Sequence, residues 1–247
     1  MFRPTWLAPL TLLLALAGPA LLIVGVSRPF IRLHPFLPFG LTCAAVAGAF
    51  MHARARRGVA AWANAAVTAL IAGLFYVAVG LLARIPDTGR SPAVGETAPR
   101  FALRDSQGDP VSLGDLLQSG PKLLVFFRGT WGMVCRAELQ GLGAEAVAQG
   151  LPRSSILAIS ADEPAALGPW QEKLGEAVRL LSDRELSAIR DYGLLHPRAF
   201  QGRDAARPAH FVIGQDGRII QARRSADTLD RSDPREPVAA LRRAAAR

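Results

Sequence analysis

Three long uncharged stretches crowd into the first 84 residues: Trp6 to Ser27, Pro35 to Met51 and Gly58 to Ala83. They are 22, 17 and 26 residues long. A bilayer core is spanned by about 20 apolar residues, so the first and third suffice and the second is at the short limit. Nothing comparable occurs later, where charged and apolar residues mix as in a globular domain. The chain is therefore expected to divide into a transmembrane helical anchor over 1–84 (helices at about 6–27, 35–51 and 58–83), a linker over 85–98 and a domain over 99–247. The first stretch exceeds the 7–15 apolar residues of a cleaved signal peptide and two more hydrophobic segments follow it, so it is read as an anchor.

The dense cluster Arg54, Arg56 and Arg57 lies between the second and third segments, and basic residues beside membrane helices favour the cytoplasm. With three crossings this places the C-terminal domain outside the cytoplasm, in the periplasm of a multi-pass cell-membrane protein. Inside the third segment the strongly polar side chain is Asn64, which reads as helix-packing glue rather than a transport pathway. The formal charge of +9 suggests nucleic acid until it is divided by region. Eight arginines against Asp87 and Glu96 fall in residues 1–98, leaving only +3 for the rest, with no basic run interleaved with aromatics. Nucleic acid is not an expected partner; membrane lipid is.

The linker IPDTGRSPAVGETA carries Pro86, Gly89, Pro92 and Gly95 and has no apolar period. Beyond it, FALRDSQGDPVSL reads as a hairpin, Lys122 to Phe127 as a strand buried on both faces, and Met133 to Gly150 as a helix. Ser155 to Ser160 is a second buried strand, Pro164 to Leu174 a helix, Val178 to Leu181 a third strand and Arg184 to Tyr192 a short helix. Ala209 to Ile213 and Arg218 to Ala222 flank a Gln-Asp-Gly turn, and Pro234 to Ala246 closes the chain as a helix. Alternation of this kind implies an α/β domain with helices on the faces of one sheet.

This order resembles the thioredoxin-fold redoxins, the AhpC/TSA and peroxiredoxin-like group. The pieces that carry the likeness are VGETAPRFALRDSQGDPVSLGDL, LLVFFRGTWGMVCRAEL, LLSDRELSAIRDYGL and RPAHFVIGQDGRI. The resemblance implies a thioredoxin-like fold with a reactive site where the first central strand ends and a helix begins, where Cys135 falls. A helix N-terminus favours an anion, and a thiolate attacks peroxide oxygen. The bland alternative is a small buried hydrophobe.

The family pattern is incomplete. Dithiol redoxins read Trp-Cys-x-x-Cys, but here Gly132 stands at the first cysteine, so no dithiol cycle runs within the motif. Peroxiredoxins read Pro-x-x-x-Thr-x-x-Cys, and Arg128 and Gly132 occupy the proline and threonine positions. Arg128 and Arg207 are the candidate cations for the thiolate. The resemblance implies a cis-proline at Pro208. Trp131, Gly132, Pro208 and Glu138 are expected to line the substrate site, Glu138 by orienting an arginine or by sitting in the first helical turn. His196 and His210 are not expected to form a Cys–His dyad, since nothing fixes either near Cys135.

No metal spacing or phosphate loop is present, and no cofactor is expected. Cys43 lies in the second membrane segment, so a reductant for Cys135 is expected from outside: a small thiol, a thioredoxin-like partner or a second copy. The resulting expectation is a membrane-anchored, one-cysteine thiol oxidoreductase that reduces peroxides through Cys135 as an antioxidant. Thiol–disulfide exchange with protein thiols, and a catalytically inactive thioredoxin-fold binding module, are the alternatives.

Overall fold

The computed structural model describes residues 36–82 and 84–246 except 88 and 229, together with 13, 16, 17 and 20. The expected first membrane segment, 6–27, lies outside the described residues apart from those last four, which are helical. The chain divides into two compact units, Met1–Arg84 and Ile85–Arg247.

In the first unit, α1 (Phe36–Arg56) and α2 (Val59–Leu82) form a hairpin turned at Arg57 and Gly58. Small side chains let the helices approach: Ala49, Ala53 and Ala65 are buried between them. Phe50 and Trp62 meet edge to face, and the Tyr76 hydroxyl donates to Thr42 Oγ1 at 3.2 Å. Leu70, Leu74, Val77 and Leu81 point outward. Among the described residues one helical stretch, Val59–Val77, is long and apolar enough to cross a membrane, fewer than the three expected. The second expected segment is helical and lies within α1, which continues past it through His52, Arg54 and Arg56.

The second unit is built on strands β1 (Ala102–Asp105), β2 (Pro110–Ser112), β3 (Lys122–Phe126), β4 (Ile156–Ser160) and β5 (Val178–Ser182). With β8 (Ala209–Ile213) and β9 (Ile219–Arg224) they make a seven-stranded sheet in the order β2-β1-β5-β4-β3-β8-β9. β3, β4 and β5 run parallel at the centre, and the neighbours on both sides are antiparallel. Parallel strands need crossover helices, which α4 (Met133–Ala148) and α5 (Pro164–Leu174) supply. The remaining helices are α3 (Leu113–Leu117), α6 (Ser187–Asp191) and α7 (Arg235–Ala245). Successive strand residues point to opposite faces, so each buried strand feeds two cores. Leu124, Phe126, Phe211 and Ile213 pack with Tyr192 and Phe101 on one face; Leu123, Val125, Phe127 and Val212 pack with Leu139, Leu142 and Leu241 on the other.

The thioredoxin-like α/β architecture expected from the sequence is present. Two features were not anticipated. Leu195–Phe200 (β6) and Arg203–Ala206 (β7) form a separate two-stranded sheet. Pro197 lies within this pairing, which accommodates it through a register shift between His196 and Phe200. Residues 85–98 also do not run free: the Gly95 N–H donates to Ile219 O at 2.8 Å and the Ala98 N–H to Gly217 O at 2.9 Å, which adds a bridge at Thr97 to the β9 edge.

Candidate active site

The loop Arg128 to Gly132 carries the chain from the C-terminal end of β3 to the first turn of α4. Gly129 has a φ of +149°, and a Cβ there would strike the Trp131 ring at 2.5 Å, so the turn requires glycine. Asp162, beyond the end of β4, ties the loop down by accepting from the Thr130 N–H at 2.7 Å and the Ser160 hydroxyl at 3.0 Å. Gly132 is the N-cap of α4 and offers no capping side chain, which leaves the electropositive first turn to Cys135, the third residue of the helix. The sulfur folds back over that cap: a Cβ on Gly132 would lie 3.1 Å from Sγ.

Cys135 is 2% exposed. It is not sealed in hydrocarbon alone, because Arg231 Nη2 lies 3.9 Å from its Sγ. Arg231 is itself buried, donating through Nε to Glu138 Oε2 at 2.7 Å and through Nη1 to the Asp230 carbonyl at 2.7 Å. Glu138 sits one helical turn beyond Cys135 on the same face of α4. Its second oxygen, Oε1, meets His210 Nε2 at 3.0 Å, and His210 Nδ1 meets Ser232 Oγ at 3.1 Å. A continuous buried chain thus runs from Ser232 through His210, Glu138 and Arg231 to the sulfur.

The charges reinforce one another. Burial pushes the Glu138 carboxyl up, but Arg231 and His210 outweigh it and hold it below the ordinary carboxylate value. Burial likewise lowers Arg231, and Glu138 and Cys135 outweigh it, leaving Arg231 above its usual value. A second guanidinium, that of Arg128, also acts on Cys135; burial lowers it, the sulfur opposes that shift, and Arg231 adds to it. Arg128 donates through Nη2 to the Ala199 carbonyl at 2.8 Å and lies 4.9 Å from the Trp131 ring centre, while its Nε is buried without a partner among the described residues. Arg231 and Glu138 thus form a buried pair beside the sulfur, and Arg128 is a second cation that interacts with it.

The remaining sequence candidates fall at different distances from this centre. Trp131 stacks on Phe200 of the β6–β7 hairpin with ring centres 4.1 Å apart, and both rings remain about 40% exposed. They border a cleft of about 830 Å³ lined by Arg128, Asp162, Arg184 and Arg203 among others. Arg207 is not the thiolate's cation: its Nε donates to the Ser225 carbonyl at 2.9 Å and its Nη1 lies 3.7 Å from Asp87. Pro208 is not a cis-proline, since the described residues contain no cis peptide; the chain enters β8 extended, with the Pro208 carbonyl accepting from the Ser225 N–H at 2.9 Å. Pairing with β9 thus draws both residues toward the sheet edge. Arg231 was missed because it lies 96 residues from Cys135 in a polar stretch with no periodic signal. His210 touches Glu138 rather than the sulfur, and strand alternation was the available clue: it lies two residues before Val212 and so faces the same core as α4. Among the described residues no cluster of three or more His, Cys, Asp or Glu could hold a metal.

Comparison with known proteins agrees with this architecture. The chain is 30% identical over 129 residues to peroxiredoxin Bcp of Escherichia coli strain K12, covering 51% of this chain and 81% of that protein. Alkyl hydroperoxide reductase E of Mycobacterium bovis is 29% identical over 152 residues, or 60% of this chain and 97% of its own length. The solved structure of a thiol peroxidase from Chromobacterium violaceum superposes with a TM-score of 0.55 at 22% identity, over 64% of this chain and 91% of that one, a likeness of fold. The AhpC/TSA family profile matches residues 94–222, which span the sheet from before β1 into β9 and include the loop and helix that carry Cys135, and the chain accordingly belongs to the AhpC/TSA family.

Proposed function

We propose that the chain is a membrane-anchored, one-cysteine peroxide reductase with Cys135 as the nucleophile. The thiolate attacks the terminal peroxide oxygen, the O–O bond breaks, and the departing alkoxide or hydroxide takes a proton to leave as alcohol or water. Cys135 is then a sulfenic acid. An external thiol condenses with it, releasing water and forming a mixed disulfide, and a second thiol frees Cys135 as the exogenous disulfide leaves. The observation that carries this reading is the Arg231 guanidinium at 3.9 Å from Sγ, held there by its buried pairing with Glu138. Arg231 and Arg128 hold the thiolate and receive the negative charge that develops on the peroxide.

Burial of the sulfur favours this reading over exchange with protein disulfides. A peroxide is a few atoms across, whereas a protein disulfide must bring a second sulfur in line with a buried Sγ. The inactive-module reading is opposed by the buried ion pairs, which a purely structural thioredoxin fold would not need. The anchor is proposed to cross the membrane three times, with the redoxin domain in the periplasm. Its support is the apolar Val59–Val77 stretch, the outward apolar side chains of α2 and the Arg54, Arg56 and Arg57 cluster.

The full chain carrying Cys43→Ser, in detergent, is expected to consume peroxide when supplied with a small thiol and to form a sulfenic acid trapped by dimedone. Cys135→Ser is expected to remove both. Persistence of peroxide turnover in Cys135→Ser, or no trapping in the parent, overturns the proposal. Labelling of cysteines introduced at residue 57 and at residue 92 from opposite sides of intact cells tests the topology.

A further inference from the structure

The strand residue opposite the active helix has a role that the peroxide chemistry alone does not assign. We propose that His210, held by Ser232, is a positioning residue that locks Glu138 so that Arg231 presents its guanidinium edge to Cys135; this rests on the peroxidase reading above. Glu138 has two buried oxygens, and Arg231 Nε satisfies only Oε2. Left bare, Oε1 would be a desolvated carboxylate oxygen with no donor, and the carboxylate would rotate to share Arg231 between both oxygens. The His210 Nε2–H fills that place at 3.0 Å.

The ring can donate there only with its proton on Nε2, so its tautomer has to be fixed from the other side. Ser232 does this, its hydroxyl donating to Nδ1 at 3.1 Å. The arrangement is compact in sequence as well as space: Arg231 and Ser232 are adjacent, so one backbone segment delivers both the guanidinium to the sulfur and the hydroxyl to the imidazole. The charged groups facing the ring are few: Glu138 from α4, Arg231 from the segment before α7, and, across the strand pair on β9, Arg223, whose guanidinium is taken by Asp230 at 2.6 Å. The ring itself is buried between β8 and α4, which leaves it no contact with substrate.

The test is the pH profile of Cys135 alkylation by iodoacetamide in the full chain with Cys43→Ser, a readout that does not depend on peroxide turnover. His210→Leu is expected to move the midpoint of the profile up by about one pH unit, a tenfold loss of thiolate at a pH below it. His210→Gln, whose amide can still donate to Oε1, is expected to stay within threefold of the parent. Ser232→Ala is expected to fall between them. A folded His210→Leu with the parent profile, or equal shifts in the Leu and Gln variants, overturns the proposal while leaving the peroxidase reading intact. If His210→Leu does not fold, an upward shift in Ser232→Ala with Gln near the parent supports it, and an unchanged Ser232→Ala profile overturns it. A parent profile no different from that of a free cysteine overturns both readings.

Discussion

Arg231 and Arg128 both interact with Cys135 and are held in opposite ways. Arg231 is fixed on each of its nitrogens, to Glu138, to the Asp230 carbonyl and to Cys135, and its side chain is 1% exposed. Arg128 belongs to a glycine-bounded loop, donates to a hairpin carbonyl, rests against the face of Trp131 and, among the described residues, leaves its Nε without a partner. The difference separates two tasks within one site. A preorganised charge costs no rearrangement when the sulfur reacts, so the fixed guanidinium sets the electrostatics. A sulfur this deeply buried also has to be reached, and opening on the Arg128 side, beside the Trp131–Phe200 stack, is expected to break fewer bonds than opening at Arg231.

Breaking the fixed side is expected to have the largest effect. Arg231→Met should lower peroxide turnover by about 10²-fold, the typical consequence of removing one preorganised donor. It also strands the Glu138 carboxylate, which should cost about 3–5 kcal/mol of stability in denaturant unfolding. Arg128→Met should reduce turnover by about tenfold, with a stability change within about 0.5 kcal/mol, because few interactions are lost. Equal losses of stability in the two variants would show that the sides are not held differently.

The third prediction sharpens the contrast in access. Phe200→Ala removes the ring stacked on Trp131, and Cys135 alkylation should become several-fold faster at fixed pH, at a cost of about 1 kcal/mol of stability. An unchanged rate would place the entry route elsewhere. The smallest effect concerns His196, buried beside the loose side. Burial lowers its affinity for a proton, and Arg128 and then Arg207 lower it further, below the ordinary value of 6.5. Its contribution to stability is therefore complete above pH 6.5 and is lost as pH falls from there through the lower folded value. His196→Gln should flatten the decline in thermal midpoint between pH 7 and 5. Glu138 obeys the same sign in a lower window: depressed in the folded state, it contributes above its unfolded value of 4.5 and loses that contribution as pH falls further.

How much of this was legible beforehand depended on whether the signal was local. The buried strands Lys122–Phe126 and Ile156–Ser160 announced themselves as apolar runs, and Cys135 as a residue at a strand-to-helix junction. For Glu138 two readings stayed open, orienting an arginine or filling the first helical turn, and its contact with Arg231 became visible only in three dimensions. The β6–β7 hairpin was not legible, since Pro197 and its polar neighbours carry no period and its pairing depends on Trp131 and Arg128 receiving it.

The sequence by itself determined a hydrophobic N-terminal region, an α/β redoxin domain and a lone cysteine at the mouth of a helix, because hydrophobic period and helix polarity act over a few residues. Only the tertiary structure decided which arginine reaches the sulfur. Arg207 looked right by position along the chain, but pairing of β8 with β9 commits it to Ser225, while the polar segment ahead of α7 folds back to deliver Arg231. Charge–charge selection of that kind operates through space, between residues whose separation along the chain carries no information about their distance.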